Sequence, residues 1–268
     1  MLENLHLGWT SFVESTTSTN DIALEWIQQG APHFSVIATD HQSQGRGRAG
    51  RTWYTPPGTA LAVSIILRPD IDVQFFSRFT ALGTIAVCNI LIKICSSQPQ
   101  IKWPNDVLLQ KKKTAGVLTE IVWSGNQPEA VVVGIGVNID KGSIPPNVNL
   151  NFPATYVAAH TRQPLDRFQI LYEILSETKT WNRKIDSTAF IKIWEDFLAY
   201  RGEKVTAILY SPETIDNTAL QLDAATTQNS MVSGILIGIT SDGLLTLKLD
   251  NGQIRHFAAN EIRIQSNT

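Results

Sequence analysis

This sequence contains little cysteine and carries a small net charge. Only Cys88 and Cys95 occur among 268 residues, which excludes a disulfide-rich scaffold, and both lie in an apolar run that is typical of a helix. Their placement predicts buried, reduced thiols and a cytosolic protein. The net charge of −2 argues against a general nucleic-acid binder, because such proteins carry a broad basic face.

Targeting and membrane-spanning segments are also missing from the sequence. The N-terminus, MLENLHLGW, has no basic region followed by an apolar one, as a secretory signal would have. No run reaches the roughly 18 apolar residues that a membrane span needs. Internal repeats, low-complexity tracts and long linkers are absent as well. The hydrophobic fraction of 43% is ample for a large buried core, so the sequence predicts a globular protein.

The most strongly marked segment is HQSQGRGRAGRTWYTPPGT, residues 41–59, which we call the glycine–arginine loop. Its glycines permit positive φ and a close approach of the backbone to a ligand, so that N–H groups can converge on an anion. Its arginines add charge and forked donors that suit phosphate or carboxylate. These residues are Gly45, Gly47 and Gly50, alternating with Arg46, Arg48 and Arg51. The alternative is a solvated surface loop with scattered arginines.

The glycine spacing also fits G-x-G-x-x-G, the dinucleotide-binding fingerprint. That motif needs a helix that begins within it, whereas Pro56, Pro57 and Gly58 follow here and prevent a helix. Residues 35–40 and 60–68 are typical of strands. We therefore expect an anion-binding loop between two strands of a sheet.

Periodicity predicts the remaining elements. Strands are expected over residues 9–14, 100–109, 115–123 and 130–139, and helices over 20–29, 74–94, 165–181 and 188–200. A lysine-rich hairpin turn is expected at 111–113. After residue 201 short strands dominate, with hairpin turns at Asp242-Gly243 and Asn251-Gly252. The pattern predicts a domain at 1–201 and a small β-barrel-like domain at 202–268.

A second polar cluster is expected where Pro104 interrupts the strand over residues 100–109. The bend gathers Lys102, Asn105 and Asp106, which suit a nucleotide with its Mg²⁺. Ordinary turn formers and a surface lysine are the alternative. Lys113 adjoins the next strand, where the small residue Gly116 would let a ligand approach closely.

Two further features have competing explanations. Gly134 and Gly136 interrupt an apolar strand that ends at Asn138, which indicates either a bulge or the close approach of a flat ligand or another backbone. The polar run Ser18, Thr19 and Asn20 is explained by helix capping. Alternatively, these side chains line a polar pocket at the helix N-terminus.

Four motifs together resemble a known family. QSQGRGRAGRTW, KWPNDVLL, KTAGVLTE and VVVGIGVNI occur in this order, as in the catalytic domain of biotin protein ligases. The resemblance covers essentially the whole chain and includes STN at residues 18–20 and the β-rich tail. It implies an α+β fold, a mixed and mostly antiparallel sheet with helices like the class II aminoacyl-tRNA synthetase core. A small SH3-like β-barrel would follow as the C-terminal domain.

The resemblance also implies roles for individual residues. Lys113, Arg48 and Asp106 would be catalytic, and Asp106 and Asn138 would hold Mg²⁺. The biotin site would comprise Ser18, Thr19, Asn20, Gln42, Gly45, Arg46, Arg48, Lys113 and Gly116. The ATP site would comprise Arg46, Arg48, Trp53, Lys102, Asn105 and Asn138. The family's second ligand-ordered loop would fall near residues 141–153, whose sequence assigns no contacts.

The implied activity converts biotin and ATP, with Mg²⁺, into biotinyl-5′-AMP. The biotinyl group would then pass to a lysine of the biotin carboxyl carrier protein of acetyl-CoA carboxylase. We expect a cytoplasmic monomer or homodimer without DNA or membrane partners. Because STN already stands at residue 18, the expectation is a ligase without the N-terminal repressor domain that some family members carry.

Three rival functions follow from the same residues. Lipoate ligases share the fold and chemistry implied by the resemblance, but this sequence lacks their Arg-Arg-x-x-Gly-Gly-Gly type motif. An RNA-binding module is suggested by the RG-like loop and the β-rich tail, and opposed by the acidic balance. A dinucleotide oxidoreductase is opposed by the missing helix after the glycines.

Overall fold

The computed structural model describes residues 2–146, 150, 152–209, 231–259 and 262–266. The first seven strands are β1 Thr10–Thr16, β2 Ser35–Gln42, β3 Ala60–Leu67, β4 Pro99–Lys102, β5 Asp106–Leu109, β6 Lys112–Ser124 and β7 Gln127–Asn138. The helices are α1 Thr19–Gln28, α2 Ser77–Ile94, α3 Arg167–Asn182 and α4 Thr188–Asp196. Short 3-10 turns lie at Leu2–Leu5, Arg48–Gly50, Val73–Phe75, Lys141–Ser143 and Val157–His160.

These seven strands form one sheet in the order β1-β2-β3-β7-β6-β5-β4. Only the β1–β2 pair is parallel, and the other neighbours within this sheet are antiparallel. The mixed, mostly antiparallel sheet that the resemblance implies is therefore confirmed. β3 is buried along its whole length in the interior of the sheet, between β2 and β7, which explains its continuous apolar sequence.

The two faces of the sheet pack against different helices. Alternation along a strand sends neighbouring side chains to opposite faces, so Ile65 joins the large core with α2 while Ile66 joins a smaller cluster with α1. α2 comes so close to the sheet that a Cβ on Gly83 would lie 3.0 Å from Val117 Cγ2. The sequence indicated no apolar run of membrane length, yet the segment Val73–Ile94 is long and apolar enough to cross a membrane; 72% of its most apolar window is buried in the protein. It is the core helix that the sequence predicted.

The lysine-rich turn differs in detail from its prediction. The positive φ values fall on Gln110 and Lys111, at 48° and 59°, and Lys112 and Lys113 already belong to β6. Because side chains alternate along a strand, Lys112 is exposed and Lys113 is part-buried. The strand thereby separates a solvated lysine from one that faces the candidate site.

The tail forms a second sheet of five antiparallel strands in the order β11-β10-β9-β8-β12. Its strands are β8 Lys204–Leu209, β9 Met231–Ile239, β10 Leu245–Leu249, β11 Ile254–Phe257 and β12 Ile262–Ser266. Gly243 and Gly252 take positive φ, 81° and 84°, in the β9–β10 and β10–β11 turns. Both predicted hairpin turns and the SH3-like tail are confirmed.

Three consecutive carbonyls of the β9–β10 turn bind the first part of the chain. Arg78 donates to Ser241 O from Nε and Nη2, at 3.1 and 2.7 Å. Ser77 donates to Asp242 O, and Trp103 Nε1 donates to Gly243 O at 3.1 Å. The two parts also share one hydrophobic cluster, to which the tail contributes residues such as Val205, Leu236 and Leu247. The division at residue 201 accordingly stays a prediction.

A pair of glycine substitutions tests this turn. A Cβ on Gly243 would lie 2.4 Å from Ser77 Oγ and 2.8 Å from Trp194 Cζ3, whereas a Cβ on Gly252 would meet nothing within 4 Å. We expect Gly243→Ala to lower the free energy of unfolding by about 2 to 4 kcal/mol, from left-handed strain plus overpacking. Gly252→Ala should lower it by only about 1 to 2 kcal/mol, from strain alone. Urea unfolding of both variants measures the difference, and equal losses would contradict the contact.

Candidate active site

A cavity of about 110 Å³ opens between the N-terminus of α1, the glycine–arginine loop, β6 and β7. Ten of the residues to which the resemblance gives a site role line it: Ser18, Thr19, Asn20, Gln42, Arg46, Arg48, Trp53, Asn105, Lys113 and Gly116. They come from four separate stretches of the chain. The fold therefore places residues from four separate motifs around one cavity.

The N-terminus of α1 is held by Gln42 rather than by its own cap residue. Thr19 N and Thr19 Oγ1 donate to Gln42 Oε1 at 2.9 and 3.3 Å, and Gln42 Nε2 donates to Thr55 Oγ1 at 3.1 Å. Ser18 makes no side-chain cap hydrogen bond. The capping explanation is therefore wrong for Ser18, which instead lines the cavity.

Asn20 uses its buried amide to join three elements. Its Nδ2 donates to Glu120 Oε2 at 2.6 Å, and its Oδ1 lies 2.5 Å from Ser64 Oγ. A Cβ on Gly134 would lie 2.2 Å from Asn20 Oδ1, so this strand position must be glycine for the amide to reach across the sheet. Close approach by a side chain accounts for Gly134.

The second strand glycine leaves room for a flat group, which is the indole of Trp53. A Cβ on Gly136 would lie 2.3 Å from Trp53 Cε2, and one on Gly116 would lie 3.2 Å from Trp53 Cζ3. The β6–β7 and β3–β7 registers run without a shift through both β7 glycines, so the bulge explanation is wrong. Trp53 Nε1 is buried and has no hydrogen-bond partner among the described residues. An unpartnered donor therefore lies in the cleft wall.

Lys113 and Asp106 form a part-buried ion pair beside this tryptophan. Lys113 Nζ lies 2.6 Å from Asp106 Oδ1 and 5.2 Å from the centroid of the Trp53 ring. Although these two atoms are close, their contact does not meet hydrogen-bond geometry. The buried Asp106 Oδ1 has no hydrogen-bond donor among the described residues. Asp106 is the first residue of β5, directly after the bend at Pro104. A cation is thereby positioned at the cavity.

Arg48 links the glycine–arginine loop to two other parts of the molecule. Its Nη1 donates to Asn105 Oδ1 at 3.4 Å, and its Nη2 donates to Ala259 O in the tail at 2.8 Å. Asn105 is itself fixed, because its Nδ2 donates to Val117 O at 3.0 Å and its carbonyl accepts from Val117 N at 2.9 Å. The short 3-10 turn at Arg48–Gly50 is no helix of the dinucleotide-binding kind, as the sequence predicted.

Arg46 is bound by two carboxylates. Its Nη1 and Nη2 donate to the two oxygens of Glu120, each at 2.9 Å, and Nη2 lies 2.8 Å from Asp21 Oδ1. Partial burial acts to lower the pKa of Arg46, but the hydrogen bonds and charges of Glu120 and then Asp21 outweigh it, so the pKa is raised. The first arginine of the loop is therefore anchored to β6 and α1.

Four predicted site residues lie outside the cavity lining: Gly45, Lys102, Asp106 and Asn138. Lys102 is buried, with Nζ 3.9 Å from the centroid of the Phe152 ring. Asn138 Nδ2 donates to Thr155 O at 3.1 Å, which holds residues 153–155 against the sheet. The ligand contacts of these four residues, like those of the ten that line the cavity, stay predictions.

Sequence reasoning missed four residues that organise the cavity: Asp21, Thr55, Ser64 and Glu120. Glu120 is the last residue of the KTAGVLTE motif. A carboxylate on a half-buried strand is the feature that could have identified it. Ser64 was detectable as a single polar residue within the apolar strand β3. Asp21 and Thr55 carried no comparable signal, since both residue types are common at helix starts and in turns.

Comparison with known proteins identifies the family. Residues 12–138 match the biotin/lipoate A/B protein ligase family, and residues 224–264 match the biotin protein ligase C terminal domain. A biotin–[acetyl-CoA-carboxylase] ligase of Paracoccus denitrificans is 32% identical over 201 residues, which cover 72% of this chain and 82% of that protein. The chain belongs to the biotin protein ligase family.

Further relatives of this biotin protein ligase agree over most of its length. The bifunctional ligase/repressor BirA of Bacillus subtilis (strain 168) is 29% identical over 95% of this chain and 73% of its own length. The biotin protein ligase of Aquifex aeolicus in complex with biotin and ATP has a TM-score of 0.76 at 24% identity. It covers 97% of this chain and 99% of that chain, which establishes the shared fold. Lipoate ligation, the rival enzyme function, is not favoured.

Proposed function

We propose that this biotin protein ligase joins biotin to ATP as biotinyl-5′-AMP and then transfers the biotinyl group to a lysine of a carrier protein. The acceptor is the biotin carboxyl carrier protein of acetyl-CoA carboxylase, in line with the name of the Paracoccus denitrificans relative. The observation that carries the proposal is the placement of Lys113 and Arg48 around one glycine-walled cavity. Lys113 and Arg48 are both positively charged, whereas the two reactants, biotin and ATP, are both negatively charged.

In the first step a carboxylate oxygen of biotin attacks the α-phosphorus of ATP. A new P–O bond forms, the bond to the β-phosphate oxygen breaks, and pyrophosphate leaves. Both reactants are negative, so the barrier falls when fixed cations stabilise the charge that develops on the phosphoryl oxygens. Lys113 Nζ would bridge the carboxylate and the α-phosphate, and Arg48 would contact the phosphate.

Asp106 would hold Mg²⁺, which supplies further charge neutralisation on the phosphates when it is bound. The residue fits this role by its part-buried carboxylate, since Mg²⁺ takes one or two carboxylates plus phosphate oxygens, and its Oδ1 also faces Lys113 Nζ at 2.6 Å. Asn138 fits less directly, since its Nδ2 is occupied by Thr155 O.

In the second step the ε-amine of the acceptor lysine attacks the acyl carbon of biotinyl-5′-AMP. The C–N bond forms, the C–O bond to the phosphate breaks, and AMP leaves with the electron pair. The amine must be neutral to attack, and Asp106 is a candidate acceptor for its proton. The glycine–arginine loop excludes water from the mixed anhydride until the acceptor arrives.

The two thiols support a reducing compartment, and we place the enzyme in the cytoplasm. Cys88 and Cys95 are both free, and Cys88 is fully buried in α2. Burial raises the pKa of Cys95 to about 11, so its thiol stays protonated at neutral pH. Neither group is a reactive thiolate.

Thermal denaturation with combined ligands tests the proposed function. Biotin and Mg·ATP together should raise the melting temperature by more than the sum of their separate shifts, because the adenylate formed in place is retained. A ligand at one hundred times its Kd stabilises by about 2.7 kcal/mol. Lipoate with Mg·ATP is the control and should give no such excess. Additive shifts, or an equal response to lipoate, would contradict the proposal.

A further inference from the structure

Arg46 has a different environment from the other cations at the cavity. Lys113 faces a single carboxylate and Arg48 binds an amide oxygen and a carbonyl, whereas Arg46 contacts three carboxylate oxygens on Glu120 and Asp21. Its exposed fraction is 39%, and that of Glu120 is 25%. A guanidinium held by this bidentate geometry has few donors left for a phosphate. The contacts fit an anchor for the glycine–arginine loop.

The Glu120 carboxylate is also connected to the wall of the predicted biotin pocket. Glu120 Oε2 accepts from Asn20 Nδ2 at 2.6 Å and from Arg46 Nη2 at 2.9 Å. Asn20 Oδ1 lies 2.5 Å from Ser64 Oγ, which lies 2.7 Å from Thr19 Oγ1. One hydrogen-bonded path thus runs from the cavity wall to the loop.

The path continues to the start of the loop through a second amide. Thr19 Oγ1 donates to Gln42 Oε1 at 3.3 Å, and Gln42 Nε2 donates to Thr55 Oγ1 near the end of the loop. A ligand that fixes Thr19 and Gln42 would therefore fix Asn20 and, through it, the carboxylate that Arg46 binds. Polar networks of this kind strengthen when each member is fully paired.

We propose that Glu120 is a positioning residue that couples filling of the biotin pocket to closure of the glycine–arginine loop, with Arg46 as the latch. This inference rests on the proposed function, because retention of biotinyl-5′-AMP is what the latch would control. Arg46 then acts on the ligand through the loop. The direct contact of Arg46 with biotin and ATP that the resemblance implies stays a separate prediction.

The release of prebound biotinyl-5′-AMP from Glu120→Gln tests the latch. Gln keeps the size of the side chain but removes the charge and one acceptor, so we expect release to accelerate roughly fivefold, the scale of a part-exposed charged hydrogen bond. The matched control is Glu129→Gln, which breaks the Arg68–Glu129 ion pair of the neighbouring strand and should leave release within about twofold. Unchanged release from Glu120→Gln would overturn the inference.

A double-mutant cycle separates a latch from general loosening. Arg46→Gln should also accelerate release, and the double variant should release no faster than the faster single variant, because the Arg46–Glu120 interaction is already lost in each. Additive acceleration would overturn the assignment. Arg46 is on the surface loop, so its variant keeps the test valid even if Glu120→Gln does not fold. Wild-type protein that retains no adenylate at all would instead refute the proposed function.

Limited trypsin digestion reads the coupling directly, because the loop contains three arginines. Biotin alone should protect the wild-type loop from cleavage by closing it. In Glu120→Gln, biotin at a saturating concentration should no longer protect, while Glu129→Gln should behave like wild type. Equal protection in wild type and Glu120→Gln would show that pocket filling closes the loop by another route and would overturn the coupling.

Discussion

Replacing Lys113 with alanine is expected to abolish adenylate formation while biotin still binds. The ammonium is held in place by Asp106 at 2.6 Å, so it is preorganised to neutralise charge as the carboxylate approaches the phosphate. Loss of one preorganised charged donor costs on the order of a hundredfold to a thousandfold in rate. A pyrophosphate-release assay measures the first step, and equilibrium titration measures biotin binding.

Lys112→Ala is the matched control for this prediction. Lys112 is the neighbouring residue on β6, carries the same charge and is exposed on the other side of the strand. It should turn over at the wild-type rate. If Lys113→Ala retained wild-type turnover, or if both variants lost activity equally, the cation at the cavity would not be the catalytic one.

Replacing Arg48 with glycine is expected to let biotinyl-5′-AMP escape and label bystander lysines. Arg48 fixes the middle of the glycine–arginine loop to Asn105 and to Ala259 O. Without these bonds the loop opens before the acceptor arrives, and the reactive anhydride reaches solvent. Labelling of an unrelated lysine-rich protein should increase by at least about tenfold, since hydrogen bonds to a charged group contribute roughly 1.5 to 3 kcal/mol. Streptavidin blotting measures it.

Ala49→Gly distinguishes the lost guanidinium from added flexibility. Ala49 has φ 53°, a conformation that glycine adopts without strain, so the substitution loosens the backbone beside Arg48 without removing a hydrogen bond. It should remain selective for the carrier protein. Strict selectivity of Arg48→Gly would refute the retaining role of the loop, and leakage from both variants would assign retention to stiffness alone.

The fold was largely predictable because its signals are local. Apolar periodicity predicted α2, α3 and α4, and the Asp-Gly and Asn-Gly pairs predicted both turns of the tail. The bend at Pro104 followed from proline's missing donor. Sequence alone did not fix where helices begin, since α2 starts at Ser77 after a 3-10 turn at Val73–Phe75.

The site was predictable only as separate motifs. Lys113, Arg48 and Asn105 were each marked by local sequence, and the resemblance joined them. The pairing of Arg46 with Glu120 was not predictable, because Glu120 lies 74 residues away along the chain. No local sequence pattern indicates such a pairing. The two β7 glycines illustrate the same limit: their need for space was evident, but the intruding groups, Asn20 and Trp53, come from distant segments.

Four of the acceptors that the tail offers to the rest of the enzyme are main-chain oxygens. The carbonyls of Ser241, Asp242 and Gly243 accept from Arg78, Ser77 and Trp103, respectively, and that of Ala259 accepts from Arg48. A carbonyl is present whatever the side chain, so most substitutions in the tail leave these acceptors in place. The surface side chains of the tail, and therefore its binding partners, can change during evolution. The donor side chains in the first part of the chain and the backbone conformation of the two turns must be kept.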